Sequence, residues 1–129
     1  MRLILFLAAV LTAQAAAASP MPYKCTITKK DSYGWVAPEY AFQIDPEAGT
    51  AQAASNNHDW TNAQLRDRGT KGYRMIWNVT LKSTEGQTIR MRYHANLAAD
   101  GGLKVSGSFV NVGASNKPYG TGRCEAVKK

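Results

Sequence analysis

The sequence predicts an all-β fold, a small antiparallel meander barrel of about seven strands with one short helix near residues 62–68. Three observations carry this expectation. Apolar side chains recur at every second position through most of the chain, and loops of hairpin length bearing glycine separate the alternating runs. Two cysteines, Cys25 and Cys124, stand in the first and last of those runs, so a bond between them would join the first strand to the last. Closing the sheet also removes exposed strand edges. A two-sheet β-sandwich fits the same alternation and stays open as the alternative.

In chain order, Tyr23, Cys25 and Ile27 share one face of the first strand, and Asp31-Ser32-Tyr33-Gly34 follows as a turn. Tyr40, Phe42 and Ile44 mark the inner face of the second. Asp45-Pro46-Glu47-Ala48-Gly49 is a hairpin loop in which proline presets φ and glycine takes the left-handed conformation. Thr50 to Ala54 returns as an alanine-rich strand, suited to an edge or to a close-packed face.

The clearest alternation lies in 73–112. Loops Thr84-Glu85-Gly86 and Ala99-Asp100-Gly101 fit a type I turn with a glycine bulge. They set Leu81 against Ile89, Val79 against Met91 and Trp77 against Tyr93, then Leu97 against Leu103, Ala95 against Val105 and Tyr93 against Gly107. A slip of one residue would turn the whole apolar set outward, so these registers are well specified. The helix is expected where alternation weakens. Thr61-Asn62-Ala63-Gln64 has capping-box spacing, Trp60 and Leu65 stand at the positions of a hydrophobic staple, and Gly69 can end the helix.

Met1-Arg2, an apolar run from Leu3 to Leu11 and a small-residue end form the pattern of a cleaved secretory signal. Residues 1–18 are expected to leave, with cleavage after Ala18, and 19–129 to form a single secreted β domain with no membrane span. Arg2 leaves with the leader, so the net charge falls by one from +7 to +6. Export to the periplasm or beyond favours a structural disulfide between the two cysteines over a reactive thiol pair. The basic excess suits association with anionic surfaces as well as solubility.

No catalytic constellation emerges. His58-Asp59 would suit a base and its orienter only if a nucleophile approached in space, and they read as solvated loop residues, with Asp59 helping to cap the helix. The chain has two histidines and no cysteine spare for ligation, so neither a zinc site nor any other cofactor is expected. Gly69-Thr70-Lys71-Gly72 lacks the spacing of a phosphate-binding loop.

The polar face of the 73–112 sheet is the candidate site. The registers place Arg74, Arg90, Arg92, His94 and Lys104 on one side, with Asn78, Thr80 and Asn96 among them, a chemistry that holds phosphates or sugar acids. Arg66, Arg68 and Lys71 join from the adjoining segment as secondary candidates, and Trp35 either plugs one barrel end or presents a binding ring. The expected partners are anionic lipid, lipopolysaccharide or an acidic protein. Nucleic acid is disfavoured because the aromatic residues alternate inward. A carrier of a small apolar ligand is the alternative, although the inward side chains are bulky.

Cys25, Gly34-Trp35-Val36-Ala37-Pro38, the strand centred on Trp77 and Gly120-Thr121-Gly122-Arg123-Cys124 resemble small exported bacterial proteins with one disulfide. No activity is assigned to that group, so the resemblance implies a fold and a periplasmic compartment only. In size and disulfide the chain is also similar to periplasmic lysozyme inhibitors, which would make it an envelope-enzyme inhibitor. Their Ser-Gly-x-x-Tyr and Trp-x-Lys-Gly signatures are missing, and the positive charge would repel a cationic lysozyme.

Overall fold

The structure, a computed structural model, describes residues 20–32, 34–111 and 117–127. The expected leader, residues 1–18, and Tyr33 of the expected first turn lie outside the described residues. Eight strands follow one another: β1 (Met21–Lys30), β2 (Glu39–Asp45), β3 (Thr50–Ser55), β4 (His58–Asp67), β5 (Tyr73–Lys82), β6 (Thr88–Leu97), β7 (Gly102–Phe109) and β8 (Tyr119–Ala126). Each pairs with its sequence neighbour, and β1 pairs with β8, so the meander closes into a barrel and the sandwich alternative is set aside.

The hairpin registers expected in 73–109 are those observed, including Trp77 opposite Tyr93 and Tyr93 opposite Gly107. Gly86 and Gly101 both have positive φ and donate to the carbonyls of Ser83 and Ala98, the closure that a turn with a glycine bulge requires. At Gly107 a Cβ would stand 3.1 Å from the Tyr93 ring, so the ring covers bare backbone. In the Asp45–Gly49 loop, Asp45 accepts from the Gly49 N–H through its carbonyl and from the Ala48 N–H through its side chain. The alanines of β3 serve a close-packed face: Ala51 and Ala53 are buried, and closure leaves β3 with no free edge.

One element differs from expectation. Residues 62–68 are not a helix: His58–Asp67 is β4, and the only helical turn among the described residues is a 3-10 turn, Gly69–Lys71. The capping-box and staple spacings span too few residues to outweigh pairing on both sides, since an isolated helix of that length is marginal. Thr50↔Gln64 to Ala53↔Thr61 joins β4 to β3, and Gln64↔Ile76 to Asp67↔Tyr73 joins it to β5. Thr61, Ala63 and Leu65 turn inward while Asn62, Gln64 and Arg66 are exposed, so the segment does carry a period of two. This is the strand missing from the expected count. Trp60 makes no staple and stands 47% exposed.

The lumen is filled. Phe42 of β2 meets Trp77 of β5 across the interior, with ring centroids 5.6 Å apart, and Trp77 stacks on Tyr93 of β6 at 5.5 Å. All three are fully buried. Residues 34–38, between β1 and β2, cover one end. Tyr93 donates its hydroxyl to the Trp35 carbonyl at 2.6 Å, Tyr40 accepts the Ala37 N–H at 3.0 Å, and Trp35 packs edge-on against Phe109 at 5.3 Å. Trp35 is half-buried there, packed against the core. Burial pushes the Tyr40 hydroxyl up to about 12 and that of Tyr93 higher still, so both remain hydrogen-bonding phenols.

Cys25 and Cys124 are register partners on β1 and β8, joined by a disulfide across 99 residues of sequence. The Cys124 N–H points away from β1, to the carbonyl of Gly101, so the pair is non-hydrogen-bonded and its side chains approach closely.

Candidate functional site: a basic wall across β4 to β7

β6 sets the site out. Its inward residues Ile89, Met91, Tyr93, Ala95 and Leu97 are buried, which forces Arg90, Arg92, His94 and Asn96 onto the outer wall. Register adds neighbours on the same face: Thr80 beside Arg90, Asn78 beside Arg92, Arg74 and Lys104 beside Asn96. The five expected residues Arg74, Arg90, Arg92, His94 and Lys104 thus share one wall, but they form two groups with His94 between.

The lower group centres on Asn96. Its Oδ1 accepts from Arg74 Nε at 2.8 Å and from Arg68 Nη1 at 3.2 Å. Arg66 is the direct cross-strand partner of Arg74, which places two like charges side by side. Lys71, from the 3-10 turn, and Lys104 complete a cleft of about 560 Å³. A single neutral oxygen gathers Arg68 and Arg74. Asp100 also lines the cleft, with its Oδ1 engaged by the Gly102 N–H at 2.9 Å. Among the described residues no carboxylate accepts a hydrogen bond from Arg66, Arg68 or Arg74, so the cluster has attraction available for an incoming anion.

The upper group lies along a seam in the wall. Pairing of β4 with β5 stops at Gln64↔Ile76, leaving His58–Ala63 and Trp77–Lys82 unpaired across it. Arg92 Nε is held by Asn78 Oδ1 at 3.1 Å, whereas the Arg90 guanidinium has no partner among the described residues. Both border a cleft of about 380 Å³ at the seam, with Asn78, Thr80, Thr61 and His58. A second cleft, of about 710 Å³, continues from Asn78 and Arg92 to His94 and Gln64.

His58 corrects an expectation. It is not a solvated loop residue. Ala53 pairs with Thr61 and Ser55 with His58, so β4 spends three positions where β3 spends two, and this bulge turns His58 inward in place of Asp59. Its Nε2 accepts from Trp77 Nε1 at 3.1 Å, and its Nδ1 lies 2.8 Å from the Asp59 carbonyl oxygen. The pattern defines the neutral Nδ1–H tautomer, with both nitrogens occupied. His58 thus satisfies the indole of a fully buried tryptophan, and Asp59 contributes its backbone to that arrangement. Asp59 caps no helix.

His94 lies between the groups. Burial of its ring, and then the charges of Arg74 and Arg92, hold its pKa below the ordinary histidine value. Sequence reading found the registers that put these side chains on one wall. It missed the double acceptor role of Asn96 and the seam, because hydrogen bonds between side chains leave no periodic trace and a bulge breaks the period that alternation depends on. Comparison with known protein families, curated proteins and solved structures finds no match for this chain. Among the described residues there is no helix long and apolar enough to cross a membrane, and no group of side chains suited to a metal ion.

Proposed function

We propose that the protein is a non-enzymatic binding protein of the periplasm or extracellular space that engages an anionic envelope component through the cationic cluster around Asn96. One observation carries the reading: two guanidiniums converge on one neutral oxygen, a third stands beside them, and no carboxylate among the described residues accepts from any of the three. Holding like charges together costs stability that pairing with carboxylates would relieve, so the arrangement makes sense as a receptor for a negative group. The basic net charge would draw such a partner in. The leader pattern and the disulfide support an exported location.

A binding role fits His58 better than catalysis does, since Trp77 and the Asp59 carbonyl occupy both ring nitrogens. The aromatic rings meeting across the lumen leave the outer wall as the better place for a ligand than the interior. The test is an NMR titration with inorganic phosphate and a retention assay on immobilised lipopolysaccharide. Shifts at Asn96 and Arg74, with retention that salt weakens and Arg68→Gln with Arg74→Gln removes, are expected. Shifts elsewhere, or retention unchanged in the double variant, would overturn the reading.

A further inference from the structure

We infer that the wall takes a linear acidic polysaccharide, a sugar chain carrying repeated carboxylate or phosphate groups, laid along β6 from the seam to the Asn96 cluster. This rests on the proposed anion site at Asn96 and specifies its ligand. Three features of the wall point to it.

The depressions follow one another along the outer face of β6, and together they are the trough of this proposal. The two upper clefts share Asn78 and Arg92, and the second reaches His94. Next along β6 is Asn96, which with Arg74 belongs to the lower cleft. From Arg90 to Asn96 is six residues of strand, roughly 20 Å at about 3.3 Å per residue. A single phosphate or carboxylate fills only one end of such a span. A chain fills it.

Charge comes at both ends. Arg90 and Arg92 stand at one end, and Arg68 and Arg74 at the other. These are separate anion subsites on one strand face, and a ligand with regularly placed negative groups can occupy both at once. Its second contact is then intramolecular, which multiplies affinity without any new kind of interaction.

Between the cations the trough offers neutral hydrogen-bonding groups: Asn62, Gln64, Asn78 and Thr80 line its upper part. Amides and hydroxyls interleaved with cations match a chain that presents hydroxyls between its acidic groups. A base-stacking platform would instead need large exposed rings, and among the described residues the one Trp, Tyr or Phe lining these three clefts, Trp77, is fully buried. A flat anionic membrane meets a barrel wall at its crests, whereas here the neutral groups lie in clefts.

The experiment measures the affinity of the full secreted chain for galacturonic acid and its linear tetramer and hexamer by calorimetry at one fixed ionic strength. Vesicles of phosphatidylglycerol and a thymidylate oligomer serve as competitors. The hexamer is expected to bind about tenfold or more tighter than the monomer. Arg90→Gln with Arg92→Gln, both exposed side chains, is expected to remove about tenfold of hexamer affinity and leave monomer affinity at the Asn96 subsite, read by NMR shifts there, within about twofold. Arg68→Gln with Arg74→Gln weakens both ligands. Equal affinity for monomer and hexamer, equal loss of both in the Arg90/Arg92 variant, or preference for vesicles or thymidylate would overturn the inference while leaving the Asn96 site standing. Monomer and phosphate binding unaffected by the Arg68/Arg74 variant would instead overturn the anion site itself.

Discussion

Arg74 donates its Nε–H to Asn96 Oδ1 at 2.8 Å while lying directly across the β4–β5 ladder from Arg66. Without an anion, the repulsion in this pair is a cost that the fold carries. Screening it or deleting one charge should therefore stabilise the protein. Arg66→Gln is expected to gain about 0.5 kcal/mol at low salt, which is roughly 2–4 °C in Tm for a domain of this size. Thermal melts at about 20 mM and about 300 mM salt should show that gain shrinking as salt rises. A destabilised variant, or a gain independent of salt, would contradict the electrostatic account.

His58 and Trp77 form the second pair whose chemistry can be tested. Replacing His58 by phenylalanine keeps an aromatic ring but removes the only acceptor that the buried indole N–H has among the described residues. An unsatisfied buried donor costs about 1–3 kcal/mol, so urea unfolding of His58→Phe should show a loss of that size. The Trp77 indole proton should also lose protection from hydrogen exchange. If His58 served catalysis alone, stability would hold.

Much of this molecule is written in alternation. The five strands holding Tyr23, Tyr40, Trp77, Met91 and Val105 could be found because burial on one side of a closed sheet imposes a period of two, and glycine fixes the registers at Gly86 and Gly101. β4 was hidden by local signals. Thr61, Gln64, Trp60 and Leu65 mimic a helix start over a few residues, while the pairing with β3 and β5 that decides the outcome leaves no mark in that short spacing. The basic wall followed from register alone. The grouping of Arg68 with Arg74 did not, because it depends on where the chain after β4 turns and on which oxygen Asn96 presents.

The Cys25–Cys124 bond closes the barrel where β1 meets β8, and neither cysteine lines the cleft at Asn96. Replacing both cysteines by alanine should cost roughly 4–5 kcal/mol in the chain-entropy model for a loop of about 100 residues. Affinity for anions, measured where the variant remains folded, should stay within about twofold. Binding that disappears while the barrel persists would tie the disulfide to the site.

The depressed pKa of His94 gives the protein a pH dependence of definite sign. Arg74 of β5 and Arg92 of β6 are its charged neighbours, with Ile76 across one ladder and Ser106 across the other. The unfolded chain takes up this proton near the ordinary value of 6.5, before the folded state does. Stability therefore falls as pH drops from above that value to the folded pKa, and is flat in this respect below it. A bound anion offsets the two arginine charges and raises the His94 pKa, so affinity should increase as pH falls from the His94 pKa of the complex to that of the free folded protein. An NMR titration of His94 with and without galacturonate checks both. A pKa unmoved or lowered by the ligand would contradict the placement.

The most direct measurement concerns Asn96 itself. Asn96→Asp replaces the neutral oxygen between Arg68 and Arg74 with a carboxylate of nearly the same shape, which supplies from within the charge that a ligand would bring. Calorimetry with phosphate and with galacturonate hexamer, together with a thermal melt, reads the outcome. The account predicts an equal or higher Tm together with a loss of affinity of about tenfold or more. Anion binding that survives Asn96→Asp at wild-type strength would contradict it.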